Sequence, residues 1–197
     1  MLLKVSQLTK SFNNIPVLKG VDLTIDRAEC IALVGENGAG KSTFMKILSG
    51  VWPEGSYSGD IFFLENPLKV QDTLSARELG ISIIHQELCL FPKLSVAENI
   101  FLTEEAPYDG QASKRILSKV DWKKLQEQSE NLFRTLGFNI PSNALIEDLS
   151  IAQKQLVEIA KAMHQNAKLL ILDEPTSALS EKETQTLFHL IHKMKKE

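Results

Sequence analysis

Nine consecutive residues, Gly35-Glu36-Asn37-Gly38-Ala39-Gly40-Lys41-Ser42-Thr43, constrain this chain more than any other stretch. They fit the phosphate-binding pattern G-x-x-x-x-G-K-[ST] without a mismatch. The flanks agree with the match. Before it runs Cys30-Ile31-Ala32-Leu33-Val34, a short apolar run of the kind a buried parallel strand shows. After it Phe44, Ile47 and Leu48 recur at helical spacing, and Gly50 marks a stop. The pattern predicts strand, glycine loop and helix, in that order.

The residue types have physical reasons. Gly35, Gly38 and Gly40 are expected to take positive φ and so let the backbone approach phosphate oxygens closely. Consecutive N–H groups then form an anion-binding nest at a helix N-terminus, where the helix dipole also favours negative charge. Lys41 can reach β- and γ-phosphates, and the Ser42 hydroxyl can ligate Mg²⁺. A nucleoside triphosphate is therefore expected, with the base and the work done left open by this motif.

Composition excludes several classes. With 197 residues, 43% hydrophobic and 24% charged, the chain suits one core, or a core plus a subdomain. Its net charge of −3, from 22 basic and 25 acidic residues, gives no argument for a nucleic-acid surface. No apolar run approaches the roughly 20 residues needed to span a bilayer. Met1-Leu2-Leu3-Lys4 is not followed by a signal-type apolar segment. Cys30 and Cys89 are the two cysteines; Cys30 opens the expected buried strand and reads as a core residue. A reduced, cytosolic chain is the expectation.

Leu3, Val5 and Leu8, with Val21, Leu23 and Ile25, predict strands of an antiparallel layer; Lys10 to Leu18 between them reads as a turn and a short extended piece. Gly59 to Leu64 and Ile81 to Ile84 read as strands, and Asp72 to Leu79 as a short helix stopped by Gly80. From Ser95 the pattern turns helical. Ser95–Glu98, Ser150–Gln153 and Ser180–Glu183 are capping boxes. A helix is predicted over Asp121 to Leu136, carrying Trp122, Leu125, Leu132, Phe133 and Leu136 and ending at Gly137. Glu104 to Ser118, broken by Pro107 and Gly110, reads as a loop; Lys114, Arg115, Lys119, Lys123 and Lys124 read as a solvated face. Ser180 to Lys196 reads as an amphipathic helix with Leu187, Leu190, Ile191 and Met194 inward.

Leu169-Leu170-Ile171-Leu172 is an apolar strand that delivers Asp173 and Glu174 at its C-terminal end, where open α/β sheets bind ligands. Alone this is weak, because many strands end in acids. With the glycine loop upstream, Asp173 is placed to hold Mg²⁺ and Glu174 to orient or deprotonate an attacking water.

Leu149-Ser150-Ile151-Ala152-Gln153-Lys154-Gln155 resembles the signature segment of ATP-binding cassette (ABC) ATPases. Gln86, between the two motifs, resembles the family's Q-loop glutamine, Ser177-Ala178-Leu179-Ser180 its D-loop, and Phe12 its adenine-stacking aromatic. The resemblance covers the whole chain, with the motifs in the family's order. It implies an α/β P-loop NTPase fold: a RecA-like core, an N-terminal antiparallel β-layer and a helical subdomain inserted at about 88–165, within one ABC ATP-binding domain over 1–197. It implies ATP and Mg²⁺ as cofactors. Residues 35–43, Phe12, Ser150 and Gln153 would contact nucleotide. Ser42, Gln86 and Asp173 would hold the metal, and Glu174 and Gln86 would serve catalysis. The family places a glycine where Ala152 stands, and an added methyl there is expected to crowd a partner's phosphate.

Val34–Thr43, Ile84–Leu88 and Gln155–Ala162 look like monosaccharide importers, and Gly50–Asp60 is most similar to the D-xylose branch. The resemblance then implies a transmembrane sugar permease, a second cassette in a head-to-tail dimer, an indirect periplasmic or extracellular sugar-binding protein, no nucleic acid, and a peripheral place on the cytoplasmic face of the membrane. Leu88, Leu90, Phe91 and Leu94 are candidates for the permease groove, or else ordinary core. The alternatives are a non-transport ABC ATPase and a non-catalytic ATP-binding fragment. The chain stops at Lys193-Met194-Lys195-Lys196-Glu197 inside a helical pattern. In the family a further strand ending in a switch histidine follows that helix. A C-terminally incomplete cassette is therefore expected, with Cys30–Val34 and Leu169–Leu172 left unpaired or forced together.

Overall fold

The computed structural model describes residues 1–85, 88–101, 121–176 and 179–195. Two compact units divide them: residues 1–83, 167–173 and 188–197, and residues 84–166 and 174–187.

The first unit opens with a hairpin. β1 (Leu3–Phe12) and β2 (Ile15–Ile25) pair antiparallel, joined by Asn13 and Asn14 alone. Both asparagines have positive φ, 48° and 63°, as a two-residue primed turn requires. The strands are thus longer than the alternation of Leu3, Val5 and Leu8 suggested, and the expected irregular piece from Lys10 to Leu18 is mostly ladder. Leu3, Val5 and Leu8 are all buried although their spacing breaks strict alternation. The register slips between Val5 and Leu8, where Gln7 takes φ 48°, and this bulge returns Leu8 to the inner face. β3 (Ser58–Phe63) and β4 (Asn66–Pro67) complete an antiparallel sheet of order β2-β1-β3-β4.

Helix α1 (Lys41–Leu48) buries Phe44, Met45, Ile47 and Leu48 in the same core as Leu3, Leu8, Ile61 and Phe63. Each such side chain contributes roughly 1.5–3 kcal/mol. Helix α2 (Thr73–Glu78) is capped by Asp72, whose carboxylate accepts the Ser75 N–H at 2.8 Å. β5 (Ile81–Ile84) pairs with β6 (Leu169–Leu172) in a second, two-stranded sheet. Ile81, Leu169 and Ile171 join the core.

One predicted strand is absent. Cys30–Val34 belongs to no ladder among the described residues, and Cys30 is exposed rather than a core residue. Val34 is 92% exposed. An apolar run supplies strand side chains, but a strand forms only where a neighbour offers backbone donors and acceptors. Neither sheet carries a strand bonded to this run. Leu169–Leu172, expected to share that fate, finds β5 instead.

The second unit is helical. α3 (Val96–Phe101), α4 (Trp122–Leu136) and α5 (Ile151–His164) pack on one another and bury Val96, Ile100, Leu125, Phe133, Val157 and Ile159. α4 starts where its cap is, with the Asp121 carboxylate accepting the Lys124 N–H at 3.1 Å, and stops at Gly137, φ 79°. Trp122, one of the apolar residues at helical spacing, is 54% exposed in the first turn. The segment 92–97 is bonded to 142–147 through Val96 N–H to Ala144 at 2.9 Å and Glu147 N–H to Pro92 at 3.0 Å. α6 (Glu181–Met194) is shared between the units, its residues to Leu187 counted with the second and those from Phe188 with the first; it buries Leu187 and Leu190, and His189 and His192 lie exposed within it. The loop expected at 104–118 lies outside the described residues, as does the Glu183 side chain of the capping box expected at Ser180–Glu183. Among the described residues no helix is long and apolar enough to cross a membrane.

Candidate functional site

The glycine loop stands out in the first unit. Residues 34–39 are exposed, a turn closes with Ala39 N–H on the Glu36 carbonyl at 3.2 Å, and α1 begins at Lys41. Gly40 occupies the N-cap position at φ 94°, so no side chain caps the helix. The first N–H bonded across the turn is that of Phe44, to the Gly40 carbonyl at 2.9 Å. The earlier N–H groups have no side-chain capping oxygen, and an uncapped helix N-terminus is a common place for an anion.

The Lys41 ammonium folds back over this loop. Its Nζ donates to the Gly35 carbonyl at 2.6 Å and to the Glu36 carbonyl at 2.9 Å. Gly38, φ 85°, has open space where a Cβ would sit, whereas a Cβ on Gly40 would meet Leu18 at 2.7 Å. Gly38 keeps the loop's rim free, and Gly40 lets α1 press against β2. Gly35 does not belong with them: it is not among the left-handed glycines, so the expectation of positive φ there is corrected. The chain reverses at Gly38 and Gly40, so Gly35 has no need of that conformation.

The other predicted residues fall as follows. Ser42 is exposed on the first turn of α1. Asp173, half-buried after β6, lies in the same unit as the loop. Glu174 belongs to the second unit and takes φ 48°, a conformation that costs a non-glycine residue energy. Phe12 is half-buried at the end of β1, its ring edge-to-face with Trp52 at 5.1 Å between centroids. Ser150 caps α5 in the second unit: its Oγ accepts the Gln153 N–H at 3.2 Å, and its own N–H donates to Gln153 Oε1 at 2.9 Å. Ala152 is buried, so its methyl is not displayed beside the exposed Ser150. That argues against the expected crowding. Gln86, Ser177 and Ala178 lie outside the described residues.

Among the described residues no group of three or more His, Cys, Asp or Glu side chains could cage a metal ion. Mg²⁺ usually takes one or two protein oxygens, several waters and phosphate oxygens. Ser42 and Asp173, the described residues expected from the sequence to hold the metal, carry oxygen donors of that kind, Ser42 exposed and Asp173 half-buried in the same unit.

Two buried polar residues escaped the sequence reading. Asn99 Oδ1 accepts the Phe91 N–H at 2.7 Å, and Nδ2 donates to the carbonyls of Ser95 at 2.9 Å and Phe91 at 3.1 Å. Glu158 Oε1 accepts the Cys89 N–H at 2.6 Å; burial pushes this carboxyl above its ordinary range, with the Cys89 bond and the Lys161 charge pulling the other way. Together they fix the segment 89–95, where Phe91 is 52% exposed and Leu90 and Leu94 are half-buried, as is Leu88 just before it. The signal was available: Glu158 shares the buried stripe of Gln155, Ile159 and Ala162, and Asn99 that of Val96.

A family model described as ABC transporter matches residues 18–177. The chain belongs to the ABC transporter family. The ribose import ATP-binding protein RbsA of Caldanaerobacter subterraneus is 42% identical over 196 residues, covering 100% of this chain and 38% of that relative. The xylose import ATP-binding protein XylG of Moorella thermoacetica is 42% identical over 194 residues, covering 98% and 37%. This ABC transporter chain thus spans well under half the length of the curated relatives it matches. Among solved structures, a nucleotide-free ATP-binding cassette from an ABC transporter superposes with a TM-score of 0.81 at 21% identity, covering 99% of this chain and 77% of that one. A dimeric cassette in a post-hydrolysis state, bound to ADP and Pi, gives 0.75 at 24% identity, covering 98% and 83%. At these identities the structural likeness speaks to the fold alone, and the fold is that of an ABC cassette.

Proposed function

We propose that this chain binds Mg·ATP at residues 35–43 and forms the ATP-binding part of a sugar importer. The observation that carries the reading is the Lys41 ammonium lying across the Gly35 and Glu36 carbonyls beside an uncapped helix N-terminus. A triphosphate oxygen offers the ammonium a charged acceptor in place of neutral ones and offers the free N–H groups their partner. Ser42, Asp173 and Gln86 complete the metal's shell in this reading. Glu174 polarises the attacking water, with Gln86 contacting metal and water. Phe12 stacks on adenine, and Ser150 with Gln153 meets the γ-phosphate held by a second cassette. ATP then closes two cassettes head to tail, and hydrolysis reopens them. A transmembrane permease on the cytoplasmic side of the membrane receives the motion, and a sugar-binding protein delivers the cargo. Ribose and xylose importers among the relatives support a monosaccharide; D-xylose is one member of that set.

A second reading, ATP held with little turnover, has its own support. Cys30–Val34, which leads into the loop, is exposed and outside any ladder, so the loop lacks a rigid strand behind it. Phosphate release from Mg·ATP separates the two. Turnover that falls about 100-fold or more in Glu174→Gln supports catalysis by that carboxylate. Saturable binding with release at the background rate in both proteins favours the binding-only reading.

A further inference from the structure

Lys10 is 8% exposed, near the end of β1. Its Nζ donates to the Ser56 carbonyl and lies 5.0 Å from the centroid of the Phe12 ring and 4.9 Å from that of Trp52. Among the described residues it takes part in no ion pair. A buried ammonium without a carboxylate is costly unless other groups replace its water. Here the replacements are one carbonyl dipole and two ring faces, whose negative quadrupoles attract a cation. The requirement is reciprocal: the rings must keep their faces toward Nζ for the charge to stay buried. Trp52 is tied to α1 through its backbone, whose N–H donates to the Lys46 carbonyl in the last turn of the helix at 3.1 Å. Trp52 in turn meets Phe12 edge-to-face with the ring planes at 61°. A chain of contacts therefore runs from the helix that begins at the glycine loop, through Trp52 and Lys10, to Phe12.

We propose that Lys10 and Trp52 are positioning residues for base recognition, which orient the half-buried Phe12 ring against the purine of a nucleotide whose phosphates sit on the glycine loop. The inference rests on the nucleotide reading above and extends it to residues that touch neither base nor phosphate. The contact set accounts for a buried lysine on a strand whose other buried positions are aliphatic.

The test compares two ligands on the full chain by titration calorimetry: Mg·ATP and Mg·tripolyphosphate, which shares the phosphates and lacks the base. Lys10→Met keeps the length and burial of the side chain and removes the charge. Its expected effect is an ATP affinity weaker by about three- to tenfold, the range of one aromatic contact, with tripolyphosphate affinity unchanged. Trp52→Phe, which preserves an aromatic ring and the fold, is expected to show a smaller loss of the same kind, and Lys10→Arg to restore most of the affinity. Unchanged ATP affinity in Lys10→Met overturns the proposal, as does an equal loss for both ligands, which would mark a structural role only. If the unaltered chain binds neither ligand, the nucleotide reading itself has failed, and this proposal with it.

Discussion

The Lys41 ammonium lies 2.6 Å from the carbonyl oxygen of Gly35, the first residue of the loop that this lysine closes. Lys41 is also the first residue of α1, whose N-terminus no side chain caps. Ordinarily that arrangement is unfavourable: the helix N-terminus already carries about half a positive charge. A negatively charged ligand at this end of α1 would relieve both, which is the premise of the nucleotide reading proposed above.

The two left-handed glycines of the loop should separate under substitution. Gly38→Ala meets open space and is expected to destabilise by about 1–2 kcal/mol, the backbone penalty alone. Gly40→Ala adds a contact of 2.7 Å with Leu18 and 3.2 Å with the Val17 carbonyl, and is expected to cost clearly more. Urea denaturation of both variants checks the order; equal losses would mean that α1 does not press on β2 as described.

Asn99→Ala removes the acceptor of the Phe91 N–H and the donor to the Phe91 and Ser95 carbonyls. Buried groups left unpaired cost about 1–3 kcal/mol. The urea midpoint should fall by the equivalent amount, and limited proteolysis should cut near Phe91 before any other described loop. Wild-type protection at Phe91 in the variant would show that other contacts hold this segment.

Glu158 gives the chain a pH dependence of definite sign. Burial raises its carboxyl above the ordinary 4.5, so the folded state holds this proton to higher pH than the unfolded chain does. Its contribution is fully present below about pH 4.5 and is lost as pH rises through the folded value. Glu158→Gln keeps an acceptor for the Cys89 N–H and has no proton to lose. The difference in melting temperature, variant minus wild type, should therefore grow from pH 4.5 to pH 7. Parallel curves would contradict a raised carboxyl.

Much of this architecture is written locally. Asp121 and Gly137 bound α4, Ser150 and Gln153 open α5, and the aliphatic runs of Ile81–Ile84 and Leu169–Leu172 become strands. The helix ends are set by residues within a few positions of one another, which is why a single sequence reveals them, whereas the two strands also need each other, far apart along the chain. Cys30–Val34 is as apolar as either strand, yet strand formation there needs a partner that no local pattern specifies. The Asn13-Asn14 turn was legible in composition but not in its length. Lys10 was hardest to foresee: a lysine on a strand reads as solvent-facing, and only the approach of Trp52 and Ser56, far along the chain, explains its burial. In the glycine loop, the positive φ of Gly38 and Gly40 and the helix start at Lys41 follow from nine contiguous residues, and Gly35 departs from that expectation.

The most direct measurement is a calorimetric titration of the full chain with Mg·ATP, run beside Lys41→Ala. The account predicts saturable, one-site binding for the unaltered chain and an affinity at least about tenfold weaker for the variant, since a hydrogen bond to a charged group is worth roughly 1.5–3 kcal/mol. Equal affinity in the two proteins, or no binding by the unaltered chain, would contradict it.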